Sequence, residues 1–146
     1  MRILALDVGS KTIGIAITDM TATIARAYDT IRYHVSQLDF VLDQLMTLIT
    51  KENIEEVVIG LPRYTLTGQL SEHGRFVVEF KEKLANKTAV PLVLYDEWYT
   101  TKLAAQPMID ANMSRDKRKL VIDQQAAVIL LQDYLIFRQR RAPHGN

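Results

Sequence analysis

Arg2-Ile3-Leu4-Ala5-Leu6-Asp7-Val8-Gly9-Ser10-Lys11-Thr12-Ile13-Gly14-Ile15-Ala16-Ile17-Thr18 opens the chain with two apolar runs separated by a polar turn. The first run is compact and stops at Gly9-Ser10, which reads as a buried strand ending in a turn. The second carries isoleucine at every other position from Ile13 to Ile17, the period of a strand. An antiparallel hairpin is the economical reading. Gly9-Ser10-Lys11-Thr12 lacks the GxxxxGK[ST] spacing of a nucleotide phosphate loop, and residues 13 to 18 alternate as a strand instead of opening a helix.

Working outward, residues 24 to 33 suit a third strand. Ser36 is positioned to cap a helix whose Leu38, Val41, Leu42, Leu45, Leu48 and Ile49 form one apolar stripe. Glu56 to Gly60 reads as a short buried strand stopped by Pro62, and a Thr- and Gly-rich loop covers 61 to 70. The next helix carries Phe76, Val77, Phe80 and Leu84 on one side. Pro91 to Tyr95 is the last strand and runs directly into Asp96-Glu97. A helix from Thr100 to Ala111, interrupted by Pro107, a basic link over 112 to 119, a final helix from Leu120 to Phe137 and a frayed tail over 138 to 146 complete the chain. Strands alternating with helices after an initial hairpin define an α/β architecture with parallel crossovers.

The chain has 146 residues, 48% apolar and 24% charged, which suits one soluble globular domain spanning 1–146. No apolar run approaches the ~20 residues of a membrane span, and Met1-Arg2 leads straight into the first strand without a signal-peptide layout, so the expected location is the cytoplasm. The absence of cysteine excludes disulfides, Cys-ligated zinc and a thiol nucleophile. Net charge is only +1, but residues 1–60 carry five Lys/Arg against eight Asp/Glu and residues 61–146 carry thirteen against nine. A polyanion is therefore expected to meet the second half.

Three acids stand out. Asp7 interrupts an apolar strand, where a lone carboxylate is costly unless a cation or hydrogen bonds compensate it. Asp96 and Glu97 follow a buried strand, at the edge where α/β sheets place their chemistry, and only one of two adjacent acids can face the same site as Asp7. Asp123 precedes Ala126, Ala127 and Leu130 by three, four and seven residues, which puts it on the apolar face of its helix, and the small alanines allow a close approach to the sheet. Each acid also has a local explanation, as a strand-end or first-turn residue. Together, with few histidines and no cysteine, they suit hard cations bound through oxygen, Mg²⁺ or Mn²⁺. Two such ions support phosphodiester hydrolysis without a protein nucleophile.

Arg115, Lys117, Arg118 and Lys119 precede the last helix, where positive charge opposes the helix dipole and is better explained by phosphate contact. Arg138, Arg140 and Arg141 lie at a helix carboxyl end, where positive charge is locally favourable. His34, His73 and His144 are scattered and read as surface residues, and Tyr64, Trp98 and Tyr99 read as packing aromatics with a capacity for base stacking.

Ile3 to Lys11 with Ile13-Gly14-Ile15-Ala16, Ile59-Gly60-Leu61-Pro62, Asp96-Glu97 with Thr100-Thr101, and Arg118-Lys119 ahead of Asp123 and Ala126-Ala127 together resemble the YqgF family. The match runs in order from residue 3 to about residue 135. The family consists of bacterial nucleases related to Holliday-junction resolvases and associated with maturation of the 5′ end of 16S ribosomal RNA. The resemblance implies an RNase H-like fold with a mixed five-stranded sheet, an N-terminal antiparallel hairpin and flanking helices. It implies that Asp7, Glu97 and Asp123 occupy the metal-binding acid positions, and that Lys11 and the basic run at 115 to 119 face the substrate. Arg63, in the loop after the GLP motif, joins these as a candidate nucleic-acid contact. Three positions depart from the family pattern: Trp98 stands for an arginine, Arg63-Tyr64 for a segment with asparagine, and Thr12 for the second residue of a Lys-Arg pair.

The expectation is a nuclease using two Mg²⁺ or Mn²⁺ ions, with precursor rRNA as first substrate and four-way DNA junctions as the alternative. A catalytically inactive nucleic-acid or ribosome-assembly binding module is the reading from another class. An actin-like kinase shares the core fold but needs two such domains. Monomer and homodimer are both compatible with the sequence.

Overall fold

The computed structural model describes residues 1–62, 69–96 and 115–141, with side chains of the last helix described from Gln125 to Arg140. The elements are β1 (Arg2–Val8), β2 (Thr12–Thr18), β3 (Ala25–Arg32), α1 (Leu38–Lys51), β4 (Ile54–Leu61), α2 (Glu72–Ala85), β5 (Leu92–Asp96) and α3 (Arg115–Arg141). The strands form one sheet in the order β3-β2-β1-β4-β5. β1, β2 and β3 pair antiparallel, whereas β4 joins β1 and β5 joins β4 in parallel. The carboxyl ends of β1, β4 and β5 therefore share one edge of the sheet.

Four consecutive residues of β1, Ile3 to Leu6, are completely buried. A strand apolar at every position belongs in the middle of a sheet covered on both faces, and two core layers meet that requirement. On one face Leu4, Leu6, Val8, Ile13, Ile15, Ile17, Val57 and Ile59 pack with Val41, Leu42, Leu45 and Ile49 of α1 and Val77, Phe80 and Leu84 of α2. On the other, Ile3, Ala5, Ala16 and Val58 pack with Ala127, Leu130, Leu131, Tyr134 and Leu135 of α3. Each buried Leu, Ile or Phe side chain contributes on the order of 1.5–3 kcal/mol.

The two faces differ in size. β2 puts its three isoleucines toward α1 and α2 and leaves Gly14, Ala16 and Thr18 on the α3 face. Facing small residues there are Ala126 and Ala127, both essentially buried. Small side chains on both surfaces let α3 lie close to the sheet. Thr18, buried and polar, accepts the Ile3 N–H at 2.8 Å.

Three expectations are corrected. Ser36 does not cap α1: it lies in a short 3₁₀ turn over Val35–Gln37 that is capped by His34, whose ring accepts the Ser36 N–H while the Gln37 side chain accepts the His34 N–H. The chain leaves β3 extended at His34, so the capping box forms one step before the helix. The last helix begins at Arg115, so Arg115, Lys117, Arg118 and Lys119 belong to its first turns and not to a link. It also continues to Arg141, so residues 138 to 141 are helical and not part of a tail. Neither glycine nor proline occurs between Arg115 and Arg141, and the Lys and Arg at both ends are good helix formers. The expected helix over 100 to 111 lies outside the described residues. Among the described residues no helix is long and apolar enough to cross a membrane.

Candidate active site

Asp7 occupies the penultimate position of β1, on the face covered by α3, because it alternates in phase with Ile3 and Ala5. Its partner on β2 is Gly14. On β4 the register Ala5↔Val58, Leu6↔Ile59 carries on to Gly60, which itself pairs with Tyr95 of β5. The half-buried carboxylate thus has a glycine beside it on each neighbouring strand. Paired residues on one face hold their Cβ atoms ~5 Å apart, and a glycine at each of these places leaves the carboxylate with no side chain beside it on either strand. An isolated glycine inside a strand marks a close approach, a signal that Gly14 and Gly60 carry in the sequence.

The turn after Asp7 is fixed from several sides. The Gly9 N–H donates to the Thr12 carbonyl at 2.7 Å, and the Tyr33 N–H donates to the Lys11 carbonyl at 2.9 Å. The Tyr33 hydroxyl donates to the Gly9 carbonyl. Burial of that phenol pushes its pKa above the ordinary value. His73, in the first turn of α2, places Nε2 at 2.8 Å from the Val8 carbonyl. Lys11 is left exposed at the tip of the turn, where it can meet a phosphate. His34 and His73 are exposed, as expected of surface residues, but His73 has this contact beside Asp7, which nothing in its local sequence signals.

Asp96 and Asp7 do not share a face. Leu92 and Leu94 of β5 pack into the α1/α2 layer and Val93 and Tyr95 into the α3 layer, so alternation turns Asp96 to the α1/α2 side. Glu97, Arg63, Tyr64, Trp98 and Tyr99 lie outside the described residues, as do His144 and the side chains of Asp123, Arg115, Lys117, Arg118 and Lys119. Among the described residues no three His, Asp or Glu side chains come together as a cation site.

α3 is bolted to the sheet at two levels, through Glu56 near the start of β4 and through Tyr95 near the end of β5. The Tyr134 hydroxyl donates to Glu56 Oε2 at 2.6 Å, and Arg138 Nε lies 3.3 Å from the same oxygen. The Tyr95 hydroxyl donates to Asp133 Oδ2 at 2.9 Å, and its ring packs edge-on against Tyr134 at 5.5 Å. Burial, followed by the adjoining carboxylates, pushes both phenols up to about 12. Glu56 pairs with Ile3, and Arg138 reaches Met1 Sδ at 3.7 Å, so the carboxyl half of α3 passes the start of β1.

The chain is 42% identical over 135 residues to a protein of Staphylococcus epidermidis named "Putative pre-16S rRNA nuclease", covering 92% of this chain and 94% of that one. A protein of the same name from Caldanaerobacter subterraneus subsp. tengcongensis is 44% identical over 138 residues, covering 92% and 96%. Among solved structures, RuvC of T. thermophilus in complex with a Holliday junction superposes with a TM-score of 0.61 at 16% identity, over 95% of this chain and 96% of that one. The Fowlpox virus resolvase bound to its junction DNA gives 0.55 at 14% identity, over 94% and 99%. These structures establish the RNase H-like fold. The model of the RuvX family, described as Holliday junction resolvase, matches residues 1–136. With the sheet order, the strand-end aspartate and this match in hand, the chain belongs to the RuvX/YqgF family and is a nuclease.

Proposed function

We propose that residues 1–146 form one cytoplasmic nuclease domain that hydrolyses phosphodiester bonds of precursor 16S rRNA at a Mg²⁺ or Mn²⁺ site held by Asp7, Glu97 and Asp123. The observation that carries this reading is the seat of Asp7 between Gly14 and Gly60, on the face that α3 covers. A carboxylate there has room beside it on both strands for a cation and for the other ligands.

The path of α3 supports the third acid. Position 123 lies four residues before Ala127, which packs with Ala5 on the face of the sheet that carries Asp7. Strand parity turns Asp96 away from the face of Asp7, which supports its neighbour Glu97 as the second acid.

Oxygen-only donors of this kind fit hard divalent cations, which when bound supply water activation and stabilisation of the leaving oxygen. The chain's own part is positional. Asp7 is held on the central strand, Lys11 is presented to the phosphate backbone by a braced turn, and the basic first turns of α3 supply further phosphate contacts through Arg115, Lys117, Arg118 and Lys119, with Arg63 from the loop after β4. A second reading, cleavage of four-way DNA junctions, is favoured by the family's description and by the fold of RuvC.

The test compares wild type with Asp7→Asn on labelled precursor rRNA and on a four-way junction. Cleavage of the RNA by wild type only, and only with Mg²⁺ or Mn²⁺, is the expected result. Equal activity of the two proteins refutes the site, and preference for the junction transfers the assignment to the second substrate. Binding of either nucleic acid without cleavage supports an inactive binding module instead.

A further inference from the structure

We propose that His73 and Tyr33 are positioning residues that clamp the two peptide carbonyls following Asp7, so that the Asp7–Lys11 turn is preset before substrate arrives. The proposal rests on the assignment of Asp7 to the site.

The two residues reach the turn from separate elements, α2 and the segment after β3. Tyr33 is 8% exposed, so its ring serves the core and a phenylalanine would fill the same space; the hydroxyl is additional, and it is spent on the Gly9 carbonyl. His73 is exposed and gives the core nothing, yet its ring is held in place by stacking on Phe76, with centroids 6.0 Å apart and planes inclined by 21°. Phe76 in turn packs against the core, and α2 is capped by Ser71 Oγ accepting the Gly74 N–H at 3.0 Å. His73 thus stands on a rigid platform.

A carbonyl oxygen only accepts, so the ring's Nε2 must carry the proton that points at Val8. Val8 and Gly9 are the first and second residues after Asp7, so the two bonds fix the plane of the chain just where the carboxylate is aimed. Their donors share no covalent link except through the fold. A burial role accounts for neither hydroxyl nor imidazole, whereas accurate aiming of a carboxylate and a lysine accounts for both.

The experiment uses the full chain with His73→Phe, Tyr33→Phe and the double variant, each keeping the ring and losing the donor, and His73→Gln, which restores an N–H. Amide hydrogen exchange of residues 9 to 12 needs no activity and reads the clamp directly. In the double variant it should quicken about tenfold, the loss of two ordinary hydrogen bonds, while exchange in β4 and α1 is unchanged. Cleavage of labelled precursor rRNA should lose about tenfold in kcat with KM moved less than about twofold, since position and not binding is lost. His73→Gln should recover both readouts toward wild type. Unchanged exchange, or quickened exchange with unaltered kcat, overturns the clamp. An Asp7→Asn protein that cleaves like wild type overturns instead the site on which it rests.

Discussion

Replacing Ala127 with leucine tests whether the height of α3 above the sheet sets the site. Ala127 is completely buried in one cluster with Ile3, Ala5, Ala16 and Val58, each also at 0% exposure. Three added carbons have no void to enter in an interior packed to crystal density, so the helix must lift or neighbouring side chains must leave their rotamers. Overpacking of this kind costs about 1–3 kcal/mol. In a chain of this length that lowers Tm by about 3–4 °C per kcal/mol, hence by about 3–12 °C. The effect on activity is expected to be larger than the effect on stability. Position 123 lies four residues earlier on the same helix, and a displacement on the order of 1 Å costs about 10²-fold in rate. The assay is cleavage of labelled precursor rRNA at 25 °C with saturating Mn²⁺, alongside thermal unfolding by circular dichroism. Leu45→Ala is the control: Leu45 is equally buried, but in the α1 layer on the opposite face, and its truncation costs about 2–5 kcal/mol. It should lower Tm at least as far and keep most of the activity below its midpoint. Ala127→Leu cleaving within about twofold of wild type would refute the reasoning. So would equal losses in both variants, because activity would then follow global stability and not the approach of α3.

Two further outcomes rest on the same geometry. A Cβ on Gly9 would meet the Thr12 carbonyl oxygen at 3.0 Å, a backbone atom that cannot swing aside, so Gly9→Ala should open the turn, cost about 1 kcal/mol in urea unfolding and lower cleavage about tenfold. Tyr134, at 4% exposure, has its phenol pushed from 10.0 up to about 12, so the protonated donor is the form the fold favours. Its contribution is complete below pH 10 and is lost as pH rises toward 12. Tyr134→Phe should therefore flatten the alkaline fall of Tm between pH 10 and 12, and an alkaline limb as steep as that of wild type would count against the Tyr134–Glu56 bond.

Much of this molecule is legible in its sequence because much of it is periodic. Four consecutive apolar residues from Ile3 to Leu6 in β1 mark a strand covered on both faces, and isoleucine at alternate positions of β2 and the stripe from Leu38 to Ile49 each allow one placement only, since the burial of an apolar face fixes its phase. Element ends were less legible. His34 caps a 3₁₀ turn ahead of α1, whose own first turn has no side-chain cap, and α3 extends at both ends, because a long helix with tertiary anchors such as Tyr134 and Arg138 overrides local signals of charge and turn.

The sequence alone determined that the protein is α/β, that cysteine has no part in its chemistry, and which family its motifs resemble, since those properties reside in residue type and spacing. Only the tertiary structure decided that Asp7 sits between two glycines from different strands, that Asp96 faces away from it, and that Tyr33 and His73 close on the carbonyls behind it. Those relations join residues up to 65 positions apart. They depend on strand order and register, which local periodicity constrains within each strand but cannot assign between strands.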